Sequence, residues 1–179
     1  MKKNVLVGQS GGPTAVINAS LYGVVTESLK HDEEIDTVYG MVNGIEGFLA
    51  DHYLDLSHTL GSRELELLKL TPAAYLGSCR FKLPEDLNSE VYRTLFRKFE
   101  ALNIGYFFYI GGNDSMDTVS KLSRYAAAVK SGIRVIGVPK TIDNDLIMTD
   151  HTPGFGSAAK YAASMVREIA LDASVYQQK

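Results

Sequence analysis

Residues 137–145 read Gly-Val-Pro-Lys-Thr-Ile-Asp-Asn-Asp, and they follow the mostly apolar run Ile-Arg-Val-Ile at positions 133–136. Such a run is typical of a buried parallel strand, and Pro139 is expected to end it because proline cannot donate a ladder hydrogen bond. Lys140 and Asp143 then lie just past the carboxyl end of a strand, where open α/β sheets bind their ligands. A loop that holds both a cation and a potential general base suggests phosphoryl transfer.

Strand and helix patterns alternate along the rest of the chain. Apolar runs predict strands at residues 5–7, 37–39 and 106–110 in addition to 133–136. Apolar residues at helical spacing predict helices over residues 17–29, 63–70, 91–102 and 116–129, and from about residue 157. This alternation predicts βαβ units, and therefore an α/β, three-layer, Rossmann-like fold with a mainly parallel sheet.

Two expectations concern the middle and the end of the chain. Gly40, Gly44 and Gly47 are expected to break the segment after the second strand into turns. The last helix is expected to bury an apolar face made of Ala158, Tyr161, Met165 and Ile169. No strand follows that helix, so the fold is expected to be truncated.

The composition is that of an ordinary soluble protein. The chain has 179 residues, of which 45% are hydrophobic and 22% charged, enough for one domain or a domain and a fraction. A formal net charge of -3 gives no electrostatic reason to expect a nucleic-acid partner. Cys79 is the single cysteine, which excludes an internal disulfide. No apolar run approaches the roughly 20 residues of a membrane span, so we expect a cytoplasmic protein with no membrane partner.

Two glycine-rich turns follow other predicted strands, one at Gly11-Gly12 and one at Gly111-Gly112-Asn113-Asp114. Glycines let the backbone approach a phosphate, and the helix that follows each turn offers free amides and the positive end of its dipole. Asn113 and Asp114 are also suited to hold a magnesium ion that carries phosphate oxygens.

Simpler interpretations of the same residues remain open. Gly11-Gly12 also suits a tight turn without a ligand, and Asp114 or Ser115 also suits a helix cap. Lys140 alone is equally a solvated surface lysine. The three loops are expected to lie on one edge of the sheet, because parallel strands of one direction end on the same side. That convergence favours a phosphate site.

Five stretches resemble the phosphofructokinase family, in the same order along the chain. They are GGPTAVIN at residues 11–18, LGSCR at 76–80, GGNDS at 111–115, PKTIDND at 139–145 and TDHTPGFG at 149–156. The resemblance covers essentially the whole chain. It corresponds to the N-terminal part of the family's catalytic unit, so residues 1–179 are expected to form the phosphate-donor-binding part, with the sugar-phosphate part downstream.

The resemblance implies transfer of a phosphoryl group to the 1-hydroxyl of fructose 6-phosphate, with Mg²⁺, in a homodimer or homotetramer. Catalytic roles are implied for Asp143 as the base, Lys140 and Arg80. Donor-binding roles are implied for Gly11, Gly12, Gly112, Asp114 and Lys140. Sugar contacts are implied for Thr141, Ile142 and Asp143. Metal contacts are implied for Asn113, Asp114 and Asp145, although Asn113 stands where the family commonly has an aspartate and brings no charge.

Two positions bear on the phosphate donor. ATP-dependent members usually have glycine where this chain has Asp114 and Lys140, and this pair resembles the pyrophosphate-dependent members. A carboxylate about 4 Å from a nucleotide phosphate costs roughly 4 kcal/mol at an effective dielectric of about 20, or about a thousandfold in affinity. Pyrophosphate is therefore the expected donor. The alternatives are an ATP-dependent enzyme of the same class and a non-catalytic phosphate-binding module.

Overall fold

The strands of the sheet come from four predicted segments and one further segment. The computed structural model describes residues 2–176 and contains β1 (Lys3–Gln9), β2 (Ile35–Met41), β3 (Tyr53–Asp55), β4 (Ile104–Gly111) and β5 (Arg134–Pro139). They lie in the order β3-β2-β1-β4-β5. β1 pairs in parallel with β2 and β4, β4 pairs in parallel with β5, and β3 is antiparallel to β2. The predicted mainly parallel sheet is confirmed.

Helices cover both faces of this sheet. The described helices are α1 (Ile17–Lys30), α2 (Gly44–Leu49), α3 (Leu56–Thr59), α4 (Ser62–Leu70), α5 (Glu90–Ala101), α6 (Asn113–Ala128) and α7 (Phe155–Val175). The covering helices include α1 and α4 on one face and α5 and α6 on the other. Side chains of β1 alternate between two cores, as the pleat of a strand requires. Leu6 packs with α5 and α6 on one face, whereas Val5 and Val7 pack with α1 and α4 on the other. The predicted three-layer α/β fold is confirmed.

The segment after β2 differs from the expected turns, because residues 44–49 form α2. Ile45 and Phe48 lie one helical turn apart and are both buried in the core. A Cβ atom at Gly47 would clash with the carbonyl of Val42. Gly47 of α2 is therefore required by close packing against Val42 and not by a turn.

The expected burial of α7 is wrong. Tyr161 and Ile169 are exposed, Ala158 and Met165 are half-buried, and no residue of α7 is fully buried. The reason is that, among residues 2–176, no layer packs over the apolar face of this helix. β5, expected to be buried, is a half-buried edge strand, because among residues 2–176 only β4 pairs with it. Within the same residues, no helix has both the length and the apolarity needed to cross a membrane.

Candidate active site

The three predicted turns meet at the carboxyl ends of β1, β4 and β5. The backbone N–H of Lys140 donates to the carbonyl of Gly111 at 3.0 Å, and its ammonium donates to the carbonyl of Gly12. The N–H of Ser10 donates to the carbonyl of Ile110 at 2.9 Å. These contacts join all three strand ends, so the turns converge as expected from parallel topology.

A polar cavity of about 470 Å³ lies between these turns. Its lining includes every site residue named from the sequence except Asp145, namely Gly11, Gly12, Arg80, Gly112, Asn113, Asp114, Lys140, Thr141, Ile142 and Asp143. A larger groove of about 920 Å³ lies at the opposite edge of the sheet, near Lys3 and Arg134. None of the three turns lines that groove, and ligands of open α/β sheets bind at the carboxyl ends of the strands. The smaller cavity is therefore the candidate site.

Lys140 is buried, with only 4% of its surface exposed. Burial lowers the pKa of its ammonium, and the nearby carboxylate of Asp143 opposes that shift. A Cβ atom added to Gly11 would lie 3.7 Å from the Lys140 ammonium nitrogen, so the cation lies against the first glycine turn. The simpler interpretation of Lys140 as a solvated surface lysine is wrong.

Hydrogen bonds to its backbone and side-chain groups hold the loop that follows Lys140. Thr141 is buried, and its hydroxyl oxygen accepts a hydrogen bond from the N–H of Asp143 at 3.0 Å. The N–H of Thr141 donates to Pro153 at 2.9 Å, and its carbonyl accepts from the Thr152 hydroxyl at 3.0 Å. Asp143 and Ile142 remain exposed at the cavity. Asp143 therefore lies at the cavity on a backbone that hydrogen bonds hold in place.

Asn144 is a second brace of this loop, which the sequence analysis missed. Its backbone is left-handed, with φ of 54°. Its amide oxygen accepts from the N–H of Thr152 at 3.0 Å, and its amide nitrogen donates to the carbonyl of Asp150 at 3.1 Å. The available signal was an asparagine, the residue type that best tolerates this conformation after glycine, between two aspartates.

Asn113 and Asp145 connect the second turn to the third. The Asn113 amide donates to the Asp145 carboxylate at 2.6 Å, and this hydrogen bond lowers the pKa of Asp145. The pair offers one amide oxygen and one carboxylate, a donor set that suits magnesium when phosphate and water supply the remaining ligands. Within residues 2–176, no three His, Cys, Asp or Glu side chains are grouped so that they could hold a metal ion.

Asp114 does not cap α6, because Gly112 occupies the cap position without a side-chain hydrogen bond. The Asp114 carboxylate instead lies 3.7 Å from the ammonium of Lys82. Lys82 also lines the cavity and was missed in the sequence, where its spacing two residues after Arg80 was the available signal. Both side chains are mostly exposed, at 83% and 76%. Solvent therefore reduces the charge repulsion expected from Asp114 towards the aqueous value of about 1 kcal/mol.

Comparison with known proteins gives one family model and several related sequences. The family model described as "Phosphofructokinase" matches residues 4–178. The chain is 47% identical over 171 residues to a pyrophosphate–fructose 6-phosphate 1-phosphotransferase of Rhodospirillum rubrum, covering 96% of this chain and 41% of that protein. The corresponding protein of Halomonas elongata is 45% identical, with 94% and 40% covered.

A solved structure agrees with this result. The pyrophosphate-dependent phosphofructokinase of Nitrosospira multiformis superimposes with a TM-score of 0.88 at 44% identity, over 95% of this chain and 42% of that one. The chain therefore spans about two fifths of the length of the relatives it matches. The matches of sequence and fold lead to one conclusion: the chain belongs to the phosphofructokinase family.

Proposed function

We propose that the complete polypeptide containing this chain transfers a phosphoryl group from pyrophosphate to the 1-hydroxyl of fructose 6-phosphate. The observation that carries this proposal is the buried Lys140 cation, held against the first glycine turn inside the cavity. Two relatives of this chain bear the name of that activity. We assign the donor-binding part to this chain and the sugar-phosphate part to the remainder of the polypeptide.

In the proposed reaction Asp143 accepts the proton of the sugar hydroxyl. The hydroxyl oxygen attacks one phosphorus of pyrophosphate, the bridging P–O bond breaks, and phosphate leaves with the electron pair. The products are fructose 1,6-bisphosphate and phosphate. Phosphoryl transfer depends mainly on positioning and on stabilising charge. Lys140 stabilises the leaving phosphate, and Arg80 contacts the transferring group from the mouth of the cavity.

Magnesium is the proposed cofactor, held by Asn113 and Asp145. It would supply positive charge to the donor oxygens, which stabilises the transition state. Asp114, also predicted as a ligand, is assigned instead to the mouth of the cavity because it faces Lys82. We also propose a cytoplasmic location and, from the family resemblance, a homodimer or homotetramer. Light scattering of the complete polypeptide would test the oligomeric state.

A coupled assay of fructose 1,6-bisphosphate formation tests the proposed donor. The complete polypeptide is assayed with pyrophosphate and, separately, with ATP. We expect turnover with pyrophosphate and little with ATP. Turnover with ATP alone would show that the proposed donor is wrong. Turnover with neither donor would favour a non-catalytic phosphate-binding module.

A further inference from the structure

Two side-chain amides are buried directly behind the first glycine turn. Gln9, at the end of β1, has no exposed surface, and Asn18 in the first turn of α1 is 1% exposed. The Gln9 amide nitrogen donates to the Asn18 amide oxygen at 3.0 Å and to the carbonyl of Ile17 at 3.1 Å. Buried amides are costly unless every polar atom is paired, so this pair is expected to have a specific structural task.

The remaining polar atoms of the pair hold the loop that follows α4. The Gln9 amide oxygen accepts from the N–H of Leu76 at 2.8 Å. The Asn18 amide oxygen accepts from the N–H of Tyr75 at 2.8 Å, and its amide nitrogen donates to the carbonyl of Thr71 at 2.9 Å. Both ends of segment 71–76 are therefore attached to β1 and α1, although this segment contains no helix or strand.

The same loop is attached to the glycine turn immediately before Arg80. The hydroxyl of Ser78 donates to the carbonyl of Gly11 at 2.6 Å. The N–H of Gly11 donates to the carbonyl of Cys79 at 3.5 Å, and the Ser10 hydroxyl donates to the same carbonyl at 3.4 Å. These hydrogen bonds attach the backbone just before Arg80 to the first glycine turn, whose Gly12 carbonyl accepts from the Lys140 ammonium.

We propose that Gln9 and Asn18 are positioning residues for Arg80, and the inference rests on the proposed phosphoryl transfer. They do not line the cavity and act only through the loop. A leucine at position 9 would keep the core apolar but leave the N–H of Leu76 and the carbonyl of Ile17 without the Gln9 amide. The loop would then be held less firmly, and the backbone that carries Arg80 would no longer be kept in place beside the glycine turn.

A double-mutant cycle in the complete polypeptide tests this inference. Gln9→Leu is expected to lower kcat with pyrophosphate by roughly 10- to 100-fold, the scale of a misplaced catalytic contact, while the KM for fructose 6-phosphate stays within about twofold. In an Arg80→Ala background the same change is expected to have almost no further effect. An equal loss of kcat in both backgrounds would mean that Gln9→Leu only lowers the amount of folded enzyme. That result would overturn the inference.

The matched control is Asn4→Leu at the opposite end of β1. Asn4 is also buried, and its amide donates to Leu102 at 2.7 Å and accepts from the N–H of Thr37 at 3.1 Å. This variant is expected to lose stability like Gln9→Leu but to keep its kcat. An Arg80-dependent loss of kcat in the control would overturn the inference, because the side-chain hydrogen bonds of Asn4 go to Leu102 and Thr37 and not to the loop.

A milder variant covers the case in which Gln9→Leu does not fold. Ser78→Ala removes only the hydroxyl that donates to Gly11, and it is expected to lower kcat several-fold in the wild type and not in Arg80→Ala. Unchanged kcat in Ser78→Ala would count against the inference. The inference and the function fail separately: a wild-type polypeptide without pyrophosphate turnover overturns the function, whereas an active wild type with additive losses overturns only the positioning role.

Discussion

The ammonium of Lys140 donates a hydrogen bond to the carbonyl of Gly12, so a side chain from the end of β5 lies against the turn that follows β1. The two residues are 128 positions apart in sequence. Their contact places a buried cation beside Gly12, where an added Cβ atom would meet nothing within 4 Å, and burial lowers the pKa of that cation. A bound anion would stabilise the ammonium that the fold itself disfavours.

Replacement of Lys140 is expected to separate stability from function. Lys140→Met removes a buried charge, so the variant should be at least as stable as the wild type at neutral pH while it loses turnover with pyrophosphate. Urea unfolding monitored by circular dichroism, together with the coupled assay, measures both quantities. A variant that is much less stable and still active would contradict this role.

The lowered pKa of Lys140 also predicts how stability depends on pH. Between the folded pKa and the ordinary lysine value of about 10.4, the unfolded chain binds more protons than the folded one. Linkage therefore makes the free energy of unfolding rise with pH in that window. The wild type should gain stability relative to Lys140→Met as the pH is raised from neutral towards about 10. A constant difference between the two proteins would refute the shift.

Donor choice is expected to depend on two positions together. Replacing Asp114 and Lys140 by glycine should raise the ratio of ATP to pyrophosphate turnover, whereas Asp114→Gly alone should change it by only about fivefold, because about 1 kcal/mol separates exposed like charges in water. Steady-state assays with each donor measure the ratio. If ATP turnover stays undetectable in the double variant, other residues exclude the nucleotide.

Lys82 is expected to contribute to pyrophosphate binding from the mouth of the cavity. Lys82→Ala should raise the KM for pyrophosphate by about twofold to fivefold, the scale of an exposed charge pair, with little change in the KM for fructose 6-phosphate. The increase should shrink at high ionic strength because salt screens exposed charges. Lys30→Ala, which changes an exposed lysine paired with Glu27 on α1, is the matched control and should leave both constants unchanged.

Asn144 and Thr152 are expected to matter through the position of Asp143. Thr152→Val keeps the shape of a buried side chain but removes the hydroxyl that donates to Thr141. The loss of one buried hydrogen bond should lower the free energy of unfolding by about 1–3 kcal/mol. It should also lower kcat more than the affinity for pyrophosphate, which calorimetry measures. Equal losses in kcat and affinity would argue against a role specific to Asp143.

Much of this architecture was accessible from local sequence patterns. The strand at 106–110 and the turn at Gly111 are local features, and parallel pairing then requires that strand ends share one edge. Local patterns did not predict that the apolar face of α7 is exposed, nor that Asp114 contacts Lys82. Helical spacing shows that α7 has an apolar face but not what covers it, and an exposed ion pair leaves no pattern in the sequence.

The burial of the Gln9 and Asn18 amides was also not predicted from the sequence. Gln9 and Asn18 lie within recognisable strand and helix patterns, where periodicity treats a polar residue as an interruption or an exposed position. Their partners at Tyr75 and Leu76 are 57 and 67 residues distant. Only the three-dimensional arrangement shows that both amides are satisfied by the loop that carries Arg80.

Phosphorus NMR of the complete polypeptide with pyrophosphate and fructose 6-phosphate tests the central proposal most directly. The wild type should produce phosphate and fructose 1,6-bisphosphate in equal amounts. Asp143→Asn, which removes the base, should form both products about 100- to 10,000-fold more slowly. Release of phosphate alone, without the sugar bisphosphate, would show hydrolysis instead of transfer and contradict the account.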